Sequence, residues 1–167
     1  MVSLLISLAL VSGFDAGGRI GAAFPTSGLA RSHEFAGLFG AYAGYGFGPS
    51  RVELSYGFSE FVAPQAGNYM MDLHDVGLEY GLEFVHKPGW GIEASAGASY
   101  GLARRSAGDA TESGGAPAAH FGVGFVQRQD KSRLSLGLDN RVYFEQGEAG
   151  IKTTYIFGLR VGVGYAF

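Results

Sequence analysis

The chain has 167 residues, 29 of them Gly and none Cys, with 14% aromatic and 16% charged residues and a formal charge of −3. Rich aromatics and low net charge exclude a disordered chain, the acidic balance gives no footing for nucleic acid, and the lack of Cys removes disulfides and thiolate metal sites. No apolar run reaches the roughly 18–20 residues that a membrane-spanning helix requires, so if this chain crosses a bilayer it must do so as a closed barrel.

Length argues for one domain. Residues 1–13 stand apart. The stretch Leu4 to Val11 is apolar with a single Ser, and small Ser12 and Gly13 follow. This reads as the apolar region and cleavage zone of a secretory signal, although no Lys or Arg lies near Met1. The expected division is a leader over 1–13 and a folded domain over 14–167.

From Phe14 onward the chain breaks into segments that alternate at period two, the mark of strands with two different faces. Strands are predicted over 15–24, 35–47, 51–60, 71–84, 90–102, 118–128, 133–144 and 152–167. Three connections are tight: Gly48 to Ser50, His86 to Gly89 and Gln129 to Ser132. Four are longer: Pro25 to Glu34, Phe61 to Met70, Ala103 to Pro117 and Glu145 to Gly150. Short turns at one end and long loops at the other are the pattern of outer-membrane barrels.

The two faces differ in kind. In the last strand Tyr155, Phe157, Leu159, Val161, Val163, Tyr165 and Phe167 oppose Thr154, Ile156, Gly158, Arg160, Gly162, Gly164 and Ala166. Val76, Leu78, Tyr80, Leu82 and Phe84 oppose Asp75, Gly77, Glu79, Gly81 and Glu83 in the same way. The bulky side also sorts by depth. Tyr45, Phe47, Phe84, Trp90, Phe125, Tyr165 and Phe167 fall near the short turns, and Phe24, Phe35, Phe58, Tyr100, Phe121, Phe144 and Tyr155 near the long loops. Aliphatic and small residues lie between. Rings prefer the headgroup level and aliphatics the hydrocarbon centre, whereas a soluble sandwich, though it also alternates, has no reason to sort them by depth. The bulky face is therefore predicted to meet lipid and the Gly-rich, charged face to line the lumen.

With these features in place the chain resembles the small outer-membrane barrels of the OmpA/OmpX-like superfamily, in pattern from Phe14 to Phe167. The segment Arg160 to Phe167 fits the barrel-assembly signal of that class: a polar residue, Gly two positions on, an aromatic three further, and a terminal Phe. The resemblance implies an all-β, eight-stranded antiparallel up-and-down transmembrane barrel in a Gram-negative-type outer membrane, without the periplasmic domain of larger relatives. It implies that Arg160, Gly162, Tyr165 and Phe167 are read by the outer-membrane assembly machinery. The expected surroundings are outer-membrane lipid and lipopolysaccharide. A monomer without cofactor or metal is expected.

Inward charges of both signs are expected at Asp15, Arg19, Glu53, Asp75, Glu79, Glu83, Glu93, Arg128, Arg133, Asp139, Arg141 and Arg160. Charges removed from water need partners, so the lumen is read as a salt-bridged plug, with a narrow solute path as the rival. A lipid A-modifying enzyme is the other alternative, its candidate groups being His33, His74 and His120 near the long-loop end with Ser32 beside His33. The His-x-Ser-Asn segment of lipid A deacylases is absent, and the primary reading is non-enzymatic. The same three His are also the only candidates for a metal site. Ala103 to Pro117 is read as a flexible loop whose Arg104 and Arg105 are positioned either to contact lipopolysaccharide phosphates or to stand as solvated rim charges.

Overall fold

A computed structural model describes residues 12–26, 34–63, 69–107, 110–147 and 150–167. It consists of β1 (Ser12–Thr26), β2 (Ala36–Phe47), β3 (Ser50–Ala63), β4 (Tyr69–Lys87), β5 (Trp90–Ala107), β6 (Ala110–Gln129), β7 (Ser132–Gly147) and β8 (Gly150–Ala166). Each strand pairs antiparallel with its sequence neighbour, and β1 pairs with β8, so the sheet closes on itself. Residues 1–11 of the predicted leader lie outside the described residues. Ser12 and Gly13 already pair with Phe47 and Gly46, so the first strand starts before the boundary predicted at Phe14.

The short-turn end matches expectation. Gly48-Pro49, Pro88-Gly89 and Asp130-Lys131 each join two strands in two residues. Such turns need positive φ, which Gly48 (62°), Gly89 (83°) and Asp130 (53°) supply.

At the other end the strands run further than alternation predicted. The supposed loop from Ala103 to Pro117 is a continuing hairpin, paired Ala103↔Gly114, Arg105↔Glu112 and Ala107↔Ala110. Phe61 to Ala63 pairs with Tyr69 to Met71, and Glu145 to Gly147 with Gly150 to Lys152. The physical reason is that a backbone ladder does not depend on side-chain polarity. Past the headgroups water wets both faces, so alternation fades while hydrogen bonding continues. A tilted strand needs about 9–11 residues to cross the hydrocarbon. β4, β5 and β6 have 19, 18 and 20 residues, so their ends project well clear of it.

The predicted faces are correct through the membrane. Ile20, Leu54, Leu78 and Val163 point outward and are 58–61% exposed, while Glu53, Asp75, Glu79 and Asp139 point inward and are 2–4% exposed. Outward rings cluster at the short-turn level, with Phe14 against Tyr45 (4.8 Å) and Trp90 against Phe125 (5.8 Å). Near the opposite rim Phe24 lies between Phe35 (6.1 Å) and Phe157 (6.3 Å). One bulge interrupts the pattern, between Glu83 and Val85. Beyond it His86 returns to the inner side, with its Nδ1 2.7 Å from Glu83 Oε1.

Candidate functional site

The interior is built in two tiers. The one nearer the short turns is a network of ion pairs. Arg51 on β3 reaches Asp15 on β1 (Nη2 to Oδ1, 2.8 Å) and also pairs with Glu53, which Arg19 engages from the other side. Arg133 on β7 donates to Glu93 on β5 (3.0 Å), and Arg128 on β6 pairs with Glu83 on β4. In mid-barrel Arg160 on β8 donates to Glu79 on β4 (3.2 Å), whose other oxygen lies 3.2 Å from His120 Nδ1. Arg141 bridges Asp139 (3.0 Å) and Asp75 (3.1 Å), and Asp75 also accepts from Tyr143 (2.8 Å) and Ser99 (3.0 Å).

Every cation in these strand-to-strand pairs, His120 aside, is Arg. A planar guanidinium can address two carboxylates at once, as Arg51 and Arg141 do here. Tyr42 supplies a ring beneath two of them, with the Arg19 and Arg51 guanidiniums 4.4 and 5.0 Å from its centroid. Gly17 and Gly164 make room for that ring, since a Cβ on Gly164 would stand 2.1 Å from the Tyr42 hydroxyl.

The second tier, nearer the long-loop end, is apolar. Ala23, Leu38, Phe61, Met71, Leu73, Ala116, Ala118, Tyr143 and Ile156 pack together across the lumen. Sequence reasoning missed this tier, having read the inner face as mostly Gly, Ser and charge. The signal was present: Leu38, Phe61, Met71, Leu73 and Ile156 all have inward parity. Arg51 was also missed, although it is two residues from Glu53 and so shares its face. Cavities of about 270 Å³ open at the two ends, one lined by Met71, Arg105, Tyr143 and Glu145, the other by Arg51, Glu83, Arg128 and Lys131.

All the charges expected to face inward do so, including Arg19, Glu53, Glu79, Glu83, Glu93, Asp139, Arg141 and Arg160. The assembly-signal residues divide by face. Arg160 and Gly162 look into the lumen, Tyr165 and Phe167 meet edge to face outside (5.6 Å), and the Phe167 N–H donates to Phe14 O (2.9 Å). Arg104 and Arg105, predicted together, part company. Arg104 is exposed on the outer face, while Arg105 turns into the mouth 3.8 Å from Glu145.

The two described histidines of the rim set weighed as an enzymatic or metal-binding alternative do not converge. His33 and Ser32 lie outside the described residues. His74 faces outward, with Nδ1 2.7 Å from the Tyr56 hydroxyl and its ring against Phe58. His120 is 3% exposed inside the barrel, beside Glu79. One wall separates the two rings, so they cannot share a metal ion or a substrate. Strand parity decides this, because 74 is an outward position on β4 and 120 an inward one on β6.

No protein-family model matches the chain, and neither does any curated protein sequence. Solved structures do. A closed, single-ring barrel with a ring-bearing apolar exterior defines the class of integral outer-membrane β-barrels, and the chain has that fold. It resembles Neisserial surface protein A with TM-score 0.77 at 17% identity, covering 93% of this chain and 98% of that one. The N-terminal barrel of Pseudomonas aeruginosa OprF gives 0.59 at 18% identity, with 92% and 99% covered. Ail, the attachment invasion locus protein of Yersinia pestis, gives 0.60 at 14% identity, with 93% and 97% covered.

Proposed function

We propose that this protein is a non-enzymatic integral outer-membrane barrel with a plugged lumen, acting through membrane integrity and the contacts of its projecting strand ends. The observation that carries the reading is the stacking of the two tiers. Paired charges fill the barrel from the short turns to mid-height, and the apolar cluster lies above them. An eight-strand interior is just wide enough for side chains to fill. The extended hairpins, above all β5–β6, then present the surface on which partners act. The neighbouring Ail is named for attachment, and an attachment role on these hairpins is part of the proposal.

Arg104, exposed on the outer wall of β5, is the residue proposed to meet lipopolysaccharide phosphate. Arg160, Gly162, Tyr165 and Phe167 are proposed to be read by the assembly machinery during insertion. The barrel is taken to work as a monomer.

Planar-bilayer recording tests the plug: the reconstituted protein is expected to be silent, and steady single-channel steps would refute it. Lipid A mass spectrometry with and without expression tests the non-enzymatic reading, with an unchanged acyl pattern expected. A shortened β5–β6 hairpin, closed by a two-residue turn after Leu102, is expected to fold but to lose surface adhesion. Unaltered adhesion would refute the role of the hairpin.

A further inference from the structure

Within the charged tier lies a small, partly open chamber of about 20 Å³ whose polar lining is Arg19, Glu93, Ser95, Arg133, Ser135 and Arg160, with Val126 beside them. Gly124 and Gly137 stand directly opposite each other on β6 and β7 and leave that part of the wall without side chains, while Arg133 and Ser135 of β7 and Val126 of β6 border it. A space this size holds one small particle, since a single water needs roughly 10–15 Å³.

A second observation concerns Arg133. Its Nη2 donates to Glu93 Oε2 (3.0 Å) and its Nη1 lies 3.7 Å from Asp15 Oδ2, but its Nε is buried with no partner among the described residues. The side chain is 12% exposed. Buried N–H groups are nearly always paired. The polar wall as a whole, Arg133 included, is rich in donors. It has three guanidiniums and two hydroxyls, against one carboxylate whose Oε2 already accepts from Arg133.

We propose that this chamber binds one small monovalent anion, chloride in ordinary media. Such an ion only accepts, so it can use Arg133 Nε, the Ser95 and Ser135 hydroxyls and the neighbouring guanidiniums all as donors. A water can also bond there, donating to Glu93 Oε1 or a serine oxygen, and is the alternative that the experiment separates. Phosphate and sulfate are too large for the space. Each of the three guanidiniums also has a carboxylate partner, Glu53, Glu93 or Glu79, so the ion is held by directional donors rather than by net charge. The bound ion ties β5 to β7 across the glycine gap in β6.

The experiment has two arms, both on the full chain. Crystals grown in sodium bromide are expected to show an anomalous peak within hydrogen-bond distance of Arg133 Nε. In detergent, the thermal midpoint is expected to rise by a few degrees, saturably, in sodium chloride or bromide relative to sodium gluconate at equal ionic strength. Gly137→Ala keeps every charge, and its Cβ would stand 3.4 Å from Arg160 Nε, in ordinary contact, inside the chamber. That variant is expected to fold and lose the halide response. Ser135→Ala is expected to weaken the apparent halide affinity several-fold. Water without bromide at the site overturns the proposal, as does a halide shift that is absent or that survives unchanged in Gly137→Ala. Either result leaves the plug reading intact, because that stands on conductance.

Discussion

Replacing Arg51 with Met removes a guanidinium that is 7% exposed and serves two carboxylates, Asp15 and Glu53. Met nearly preserves the volume, so the change isolates charge. Breaking a buried ion pair from one side costs about 3–5 kcal/mol, because the abandoned charge stays buried. Here each carboxylate keeps a second partner: Glu53 retains Arg19, and Asp15 retains Arg133 at 3.7 Å. The expected loss is therefore shifted about 1 kcal/mol below that range, to about 2–4 kcal/mol. Urea unfolding in phospholipid vesicles, followed through the single Trp90, measures it. The double variant Asp15→Asn, Arg51→Met leaves Glu53 paired with Arg19 and Arg133 with Glu93, so no charge is orphaned, and it is expected to recover at least half of the loss. If Arg51→Met unfolds within about 0.5 kcal/mol of the parent, water must be solvating those carboxylates, and the reasoning that makes the lumen a dry ion-paired plug is wrong.

Three further outcomes follow from the geometry. Leu78 lies at mid-height on the outer face, 58% exposed, and Leu78→Arg is expected to cost about 2–4 kcal/mol of folding free energy in vesicles. A neutral result would mean that this face does not meet hydrocarbon. A Cβ on Gly17 would stand 2.1 Å from Val163 O in the seam between β1 and β8, so Gly17→Val is expected to prevent closure and abolish the heat-dependent gel shift of a folded barrel. Normal mobility would show that the seam is looser than described. Arg104→Ala is expected to weaken retention of lipopolysaccharide by the purified barrel several-fold, whereas Arg105→Ala leaves it unchanged and shifts stability by less than about 1 kcal/mol, since its partner Glu145 is also partly exposed. Equal effects on retention would remove the distinction between their faces.

What the sequence determined by itself is everything that follows from a period of two. Alternation places Leu78 outside and Glu79 inside whatever the neighbouring strand does, so strand count, lipid face, inward charges and short turns could be read without a partner in view. It also contained Arg51 and the apolar inward set at Leu38, Phe61 and Leu73, which parity would have found if followed to the strand ends. Parity fixes a side but not a height or a neighbour. Closing the ring brings together residues distant in the chain: Arg160 meets Glu79 across 81 positions and Arg51 meets Asp15 across 36. The stagger between strands stacks Phe61, Met71 and Ile156 above those pairs. The strand ends beyond the membrane were illegible for a different reason, since water removes the polarity contrast there while backbone hydrogen bonds carry the ladder on. The chamber beside Arg133 is the most tertiary feature of all. It needs Gly124 opposite Gly137, and register alone decides that.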